Sequence, residues 1–144
     1  LHGRGSSGDL DPKRAWEFEL RRKRGGHLFS KHRFLSAQML AYLTDDLWLK
    51  NARHANAMAA RLSAGVVAAG AELTHPTEAN AVFAGWPRAG HAQAMGQGAY
   101  YYFWPFDQTL EGPGEAMLTA RLVCGWNTSE AEVDQFLAAI AARG

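Results

Sequence analysis

The spacing of hydrophobic residues changes near Gly70 from a helical pattern to a strand-like one, and this change limits the possible folds more than any other feature. Before it, residues 45–69 carry apolar side chains at helical spacing, which predicts one long amphipathic helix capped by Thr44, Asp45 and Asp46. The predicted apolar stripe comprises Trp48, Ala52, Ala55, Ala59, Leu62 and Val66. After Gly70, short runs rich in strand-favouring residues alternate with turn signals. A chain with both patterns is expected to pack helices against a sheet.

The remaining elements follow from the same criteria. Helices are predicted over 13–24, ended by Gly25-Gly26, over 30–43, over 88–96 and over about 130–142. Strands are predicted over 71–74, 81–86, 100–104 and 117–124. The first helix is expected to bury part of a face formed by Ala15, Trp16, Phe18 and Leu20. The predicted fold class is therefore α+β: two or three helices, then a small, mostly antiparallel sheet with helices on one face.

Composition limits the classes of protein that this chain can be. With 144 residues and 47% hydrophobic content, it has enough apolar residues for one globular domain. No apolar stretch reaches the roughly 20 residues of a membrane span, so we expect a soluble, cytoplasmic protein that does not bind membranes. Residues 1–10 are predicted to be a disordered lead or an appended linker, and residues 11–144 the domain.

Charge is concentrated near the N-terminus. Eight basic residues lie between Lys13 and Arg33 and are here called the basic cluster. The same segment contains only two acidic residues, Glu17 and Glu19, although the whole chain has a net charge of +1. Such a cluster can bind anions, or it can be a solvated helix face. Nucleic-acid binding is not expected, because no aromatic residues alternate with the charges and no reader motif is present.

Few residues suggest catalysis within the chain itself. The six histidines lack metal-ligand spacing, and no nucleophile elbow or phosphate-binding loop occurs. Cys124 lies within a predicted strand, where a small buried hydrophobe is the expected role. Arg121 stands out, because it is a charge in an apolar strand just before a predicted helix start. Its guanidinium suits bidentate binding of a small carboxylate, although an edge-strand arginine bonded to solvent or to a nearby carboxylate is the alternative.

A longer pattern resembles the threonine aldolase family, which is grouped with the β-eliminating lyases. The pattern runs through residues 13–38 and continues at Asp46-Leu47-Trp48-Leu49, residues 52–59, Glu78-Ala79-Asn80 and Arg121-Leu122-Val123. Members are pyridoxal-phosphate enzymes of the aspartate-aminotransferase fold that cleave L-threonine or phenylserine-type amino acids to glycine and an aldehyde. The resemblance implies that residues 11–144 are the small C-terminal domain of such an enzyme, without its large cofactor domain.

The resemblance also implies roles for single residues. Arg121 matches the family arginine that binds the substrate α-carboxylate, and Lys23 matches a lysine at the edge of the active site. Lys31 or Arg33 is the candidate for contact with the cofactor phosphate. No catalytic residue is expected in this chain, because none of its four lysines has the small-residue context of the Schiff-base lysine. The chain alone is therefore expected to be inactive, to bind no cofactor covalently and to hold no metal.

Two rival functions remain open from the residues. The first is one domain of a homo-oligomeric aldolase that binds an amino-acid substrate. The second is a non-catalytic module with the same fold, which dimerises or binds an anionic partner through the basic cluster. The sequence does not reveal the aldehyde accepted, the preference between threo and erythro substrates, or the oligomeric state.

Overall fold

The chain divides into two compact units. A computed structural model describes residues 11–28 and 30–141, and it separates Leu1–Thr44 from Asp45–Gly144. The lead predicted at residues 1–10 and the predicted helix end at residue 142 lie outside the described residues. Among the described helices, none is long and apolar enough to cross a membrane.

In the described part of the first unit, two α-helices bury none of their residues. A 3-10 turn at Pro12–Arg14 leads into α1 (Ala15–Arg24), and α2 spans Arg33–Leu43. Gly26 ends α1 as predicted, with a φ of +75° that favours glycine. The predicted face of α1 is buried less than expected: of its four residues only Phe18 is half-buried, and the Trp16 side chain is 73% exposed. Helical spacing reports the local conformation and does not show that a packing partner exists.

The second unit begins with the long helix α3 (Leu47–Ala68). The predicted cap is wrong: Asp45 and Asp46 adopt left-handed backbone angles, and Asp46 makes no capping hydrogen bond. The predicted stripe is confirmed over most of its length, since Ala55, Ala59, Leu62 and Val66 are buried, but Trp48 and Ala52 near the N-terminal end are exposed. A Cβ at Gly65 would overlap the Leu137 side chain, so this glycine lets α3 approach the last helix closely.

The sheet has four antiparallel strands. They are β1 (Glu72–Leu73), β2 (Ala81–Pro87), β3 (Tyr102–Phe103) and β4 (Met117–Val123), in the order β1-β2-β4-β3. The helix α4 (Arg88–Gly96) follows β2 directly, and α5 (Glu130–Ala141) ends the described chain. The α+β prediction is confirmed, although β1 and β3 are shorter than predicted.

Alternation along β2 and β4 decides which side chains enter the core. One face carries the buried residues Val82, Ala84, Trp86, Leu118, Ala120 and Leu122. All of them except Leu118 pack with the buried faces of α3, α4 and α5 into one hydrophobic core. The intervening residues of both strands therefore point to the opposite face, here called the outer face of the sheet.

Candidate carboxylate-binding site

Arg121 lies on the outer face, in the middle of β4. Its neighbours in the strand, Ala120 and Leu122, are buried, whereas Arg121 is exposed. Across the sheet it pairs with Phe83 on β2 and with Tyr102 on β3. Since β4 has a strand on each side, Arg121 belongs to a central strand and its backbone position is fixed from both sides.

The guanidinium of Arg121 is available to a ligand. Among the residues that the structure describes, no carboxylate lies within 4 Å of it, and it forms no hydrogen bond. Arg61 on α3 shows the opposite situation, because its Nε and Nη2 donate to the two carboxylate oxygens of Asp134 at 3.0 and 2.9 Å. A bond from Arg121 to a nearby carboxylate, which the sequence left open, is therefore absent from the described part of the chain. An unpaired guanidinium can bind a carboxylate with two parallel hydrogen bonds.

Aromatic side chains accompany Arg121 on the same part of the sheet. Phe83, Tyr102, Trp104 and Phe106, here called the aromatic cluster, form a chain of edge contacts. The ring centroids of Trp104 and Phe106 lie 4.8 Å apart, those of Phe83 and Trp104 6.3 Å, and those of Tyr102 and Phe106 6.5 Å. Although they touch one another, Trp104 is 43% and Phe106 65% exposed. Apolar surface beside a guanidinium lowers the local dielectric and strengthens its pairing with an anion.

The other predicted site residues lie in the first unit. Lys23 is exposed on α1, Lys31 precedes α2 with a left-handed φ of 65°, and the Arg33 guanidinium lies 5.1 Å from the centre of the Phe34 ring. Arg121 lies in the second unit, and each unit is described by itself. The roles of Lys23, Lys31 and Arg33 therefore stay predictions.

The basic cluster is partly neutralised within its own helix. Arg21 pairs with Glu17 at 2.7 Å and Arg22 with Glu19 at 2.8 Å. These pairs span three and four residues, as expected on one helix face, and such exposed pairs contribute little stability. The cluster thus retains a positive balance through its remaining lysines and arginines.

A buried histidine in the second unit has a structural role that sequence reasoning missed. His91 on α4 is fully buried and stacks on Trp86 with ring centroids 3.9 Å apart. Its Nε2 faces the carbonyl oxygen of Leu118 at 3.0 Å, so this nitrogen must donate, and Nδ1 then accepts from the hydroxyl of Tyr101 at 3.0 Å. Burial raises the pKa of Tyr101, which keeps its phenol protonated as the donor. The position of His91 on a predicted helix gave no signal for this arrangement.

A groove of about 430 Å³ opens on the helical side of the sheet. It is lined by the end of β4, the segment after α4, and α5, including Tyr101, Cys124, Glu132 and Phe136. Cys124 is buried as predicted, and burial raises the pKa of its thiol, which keeps it neutral and unreactive. Glu132 accepts from the backbone N–H and the hydroxyl of Ser129, and these bonds lower its carboxyl pKa. Glu132 and Ser129 therefore form a capping box for α5.

The lysines decide whether this chain can hold pyridoxal phosphate covalently. Lys13, Lys23, Lys31 and Lys50 are all exposed, and none lines the groove. A sheltered lysine would be needed for a lasting covalent bond to the cofactor. The absence of the Schiff-base lysine from this chain stays a prediction. The described residues include no group of three metal-ligating side chains.

Fold and site together define a small α+β domain that presents an arginine on the outer face of its sheet, without an ion-pair partner among residues 11–28 and 30–141. No family model matches the chain. It is 39% identical over 131 residues to a low-specificity L-threonine aldolase from a Pseudomonas species, covering 90% of this chain and 35% of that protein. A low-specificity L-threonine aldolase from Pseudomonas aeruginosa is also 39% identical, with coverage of 79% and 30% respectively.

A solved structure gives the same result. The Leishmania major threonine aldolase superposes with a TM-score of 0.71 and 27% identity, covering 83% of this chain and 33% of that one. The resemblance to threonine aldolases that the residues indicated is thus confirmed. The chain spans about one third of the length of the proteins it matches.

Proposed function

We propose that this chain is the C-terminal small domain of a pyridoxal-phosphate-dependent aldolase, which cleaves L-threonine or a related β-hydroxy-α-amino acid to glycine and an aldehyde. The domain contributes the residue that binds the substrate α-carboxylate, Arg121. The observation that carries the proposal is the exposed guanidinium on a central strand, without a carboxylate partner in the described chain. The similarity to named L-threonine aldolases supports the choice of substrate.

The work of this chain in the reaction is binding and orientation. Two hydrogen bonds from the planar guanidinium fix both oxygens of a carboxylate and so fix the direction of the Cα substituents. Bound pyridoxal phosphate supplies the electron sink for carbon–carbon cleavage. We place its Schiff-base lysine outside this chain, since the four lysines here are exposed. Lys31 or Arg33 supplies positive charge for the phosphate, and Lys23 lies at the edge of the substrate site.

A titration of the chain tests the binding role. Glycine and L-threonine are expected to shift the Nε–H NMR signal of Arg121, whereas ethanolamine, which lacks a carboxylate, should leave it in place. Arg121→Gln lacks this signal, so the affinities of both chains are compared by isothermal titration calorimetry; the variant should bind at least about tenfold more weakly, because a charge-assisted bidentate contact is lost. Arg53→Gln, a charge removal at an exposed position of α3, is the matched control and should bind like the parent chain. Equal affinities for Arg121→Gln and the parent chain would refute the proposal.

A second test concerns the inactivity of the chain alone. Incubation with pyridoxal phosphate and then borohydride should label no lysine stoichiometrically, and the chain should release no aldehyde from L-threonine. A specific label on one of the four lysines, together with threonine cleavage, would show that the chain is a complete enzyme.

The alternative is a non-catalytic module that dimerises or binds an anionic partner. The first unit favours it, because α1 and α2 bury no residue and the basic cluster keeps an excess of positive charge. Sedimentation at increasing salt separates the two modes of association. Binding of an anionic partner through the cluster should weaken steeply with ionic strength, whereas apolar packing between copies of the chain should not.

A further inference from the structure

Arg88, the first residue of α4, directly follows the end of β2, and the aldolase resemblance assigns it no role. Its guanidinium bonds to backbone carbonyls: Nε donates to Thr109 O at 3.1 Å and Nη1 to Pro113 O at 2.6 Å. Within the described chain it forms no ion pair. A half-buried charge that bonds to two uncharged carbonyls is a device for fixing the chain that carries them.

The fixed chain is the connection between β3 and β4, residues 104–116. The start of α4 binds the same connection through its backbone, since the N–H groups of Arg88 and Ala89 donate to Ala116 O at 2.8 Å and Gly114 O at 2.9 Å. Gly112 has a φ of +116°, and a Cβ there would lie 2.8 Å from Arg88 Nη1. Only glycine therefore suits both the backbone conformation and the position of the guanidinium.

The other end of the connection is joined to β4 beside Arg121. Trp104 N donates to Thr119 O at 2.9 Å, and Thr119 N donates to the Gln108 side chain at 2.8 Å. Gln108 also donates to Pro105 O at 3.0 Å. Thr119 lies two residues before Arg121 on the same face of β4, so the connection reaches the strand next to the candidate site.

Two members of the aromatic cluster depend on this connection for their position. Trp104 and Phe106 are largely exposed, and their ring contacts are with each other and with the other members of the cluster. Exposed side chains on an unrestrained loop would sample many rotamers and would lose conformational entropy each time a ligand binds. Bonds from Arg88 at both Thr109 and Pro113 restrict the backbone that carries them.

We propose that Arg88 is a positioning residue for the carboxylate site. By fixing the 104–116 connection, it holds Trp104 and Phe106 beside Arg121, where they shield the guanidinium from water and preorganise it for an anion. This inference rests on the proposed role of Arg121 in carboxylate binding. Arg88 itself does not touch the substrate.

The test compares the affinity of variants for acetate, followed through the Arg121 Nε–H and Trp104 indole N–H NMR signals. Arg88→Met keeps an unbranched apolar side chain and removes the guanidinium donors; it should raise the acetate Kd by about three- to tenfold and shift the Trp104 signal. Arg88→Lys should recover part of the affinity. Arg61→Met is the matched control, because it removes a guanidinium that bridges α3 and α5, and its acetate Kd should equal that of the parent chain. All Kd values are compared at a temperature where circular dichroism shows every variant folded.

A second variant keeps the inference testable if Arg88→Met does not fold. Gly112→Ala keeps Arg88 and displaces its guanidinium, so it should also weaken acetate binding and shift the Trp104 signal. An unchanged Kd in either folded variant, or an equal loss in Arg61→Met, would overturn the inference while the proposed function stands. A parent chain whose Arg121 signal does not respond to acetate would overturn both.

Discussion

The two units of this protein use helices in opposite ways. In the first unit, α1 and α2 have amphipathic sequences, yet none of their residues is buried. In the second unit, α3 has a comparable pattern and buries six residues against the sheet and α5. An apolar stripe therefore predicts a helix in both units, but the stability of that helix depends on whether other residues cover the stripe.

The two units also hold different candidate residues. In the second unit, Arg121 lies on a strand that is paired on both sides, which fixes its backbone. In the first unit, Lys23, Lys31 and Arg33 lie at exposed positions. A rigid strand is suited to orienting a carboxylate, and exposed lysine or arginine side chains are suited to neutralising a charged group. Substitutions in buried and in exposed positions test this comparison.

The largest difference is expected between two tryptophans. Trp86 is fully buried in contact with His91, Tyr101 and Phe136, so Trp86→Ala should lower the free energy of unfolding by about 3–5 kcal/mol. Trp16 on α1 is 73% exposed, and Trp16→Ala should change it by less than about 0.5 kcal/mol. Urea denaturation followed by far-UV circular dichroism measures both. A comparable loss from Trp16→Ala would mean that the first unit does bury its apolar residues.

A smaller effect is expected at a buried hydrogen bond. Tyr101→Phe removes the donor to His91 Nδ1, and the loss of a buried partner should cost about 1–3 kcal/mol. Tyr102 is the adjacent control, because it is 56% exposed and its hydroxyl contacts that of the exposed Tyr100. Tyr102→Phe should therefore leave the unfolding curve nearly unchanged. Equal stability of the two variants would exclude a structural role for the Tyr101–His91 bond.

The smallest effect is expected from pH, at the start of α5. The bonds from Ser129 hold the pKa of Glu132 below its usual value, so the folded state favours the charged carboxylate. This contribution is complete above the unfolded pKa and is lost as the pH falls through the lower folded pKa. Glu132→Gln should therefore lower the melting temperature slightly at neutral pH and reduce its dependence on acid. If parent and variant melt in parallel across the acidic range, the capping box contributes nothing measurable.

Much of the fold could be predicted because its signals are local. The helix over 88–96 and the strand that carries Arg121 were predicted close to their observed bounds, and Gly26 ends α1 as expected. The predicted helix cap was wrong, because capping depends on which partner a side chain can reach. Asp45 and Asp46 carry cap-forming side chains, but the left-handed backbone at both positions prevents the cap.

The candidate site was predicted only in part. Arg121 was found because a charge in an apolar strand is unusual, and the alternation of β4 directs it away from the core. The aromatic cluster was not found, because its members come from β2, β3 and the connection that follows β3, and only sheet register brings them together. Arg88 was missed as well, since its partners Thr109 and Pro113 lie more than twenty residues away.

Most helices and strands, the choice of Arg121 as a candidate residue and the likeness to threonine aldolases could be read from the amino-acid sequence, because each depends on residues close together in the chain. The fold was needed to show that α1 and α2 bury none of their residues and that no carboxylate of the described residues pairs with Arg121. It also decided that Arg88 holds the connection next to the site. Burial and side-chain pairing depend on distances between residues far apart in sequence, and a periodic pattern does not encode those distances.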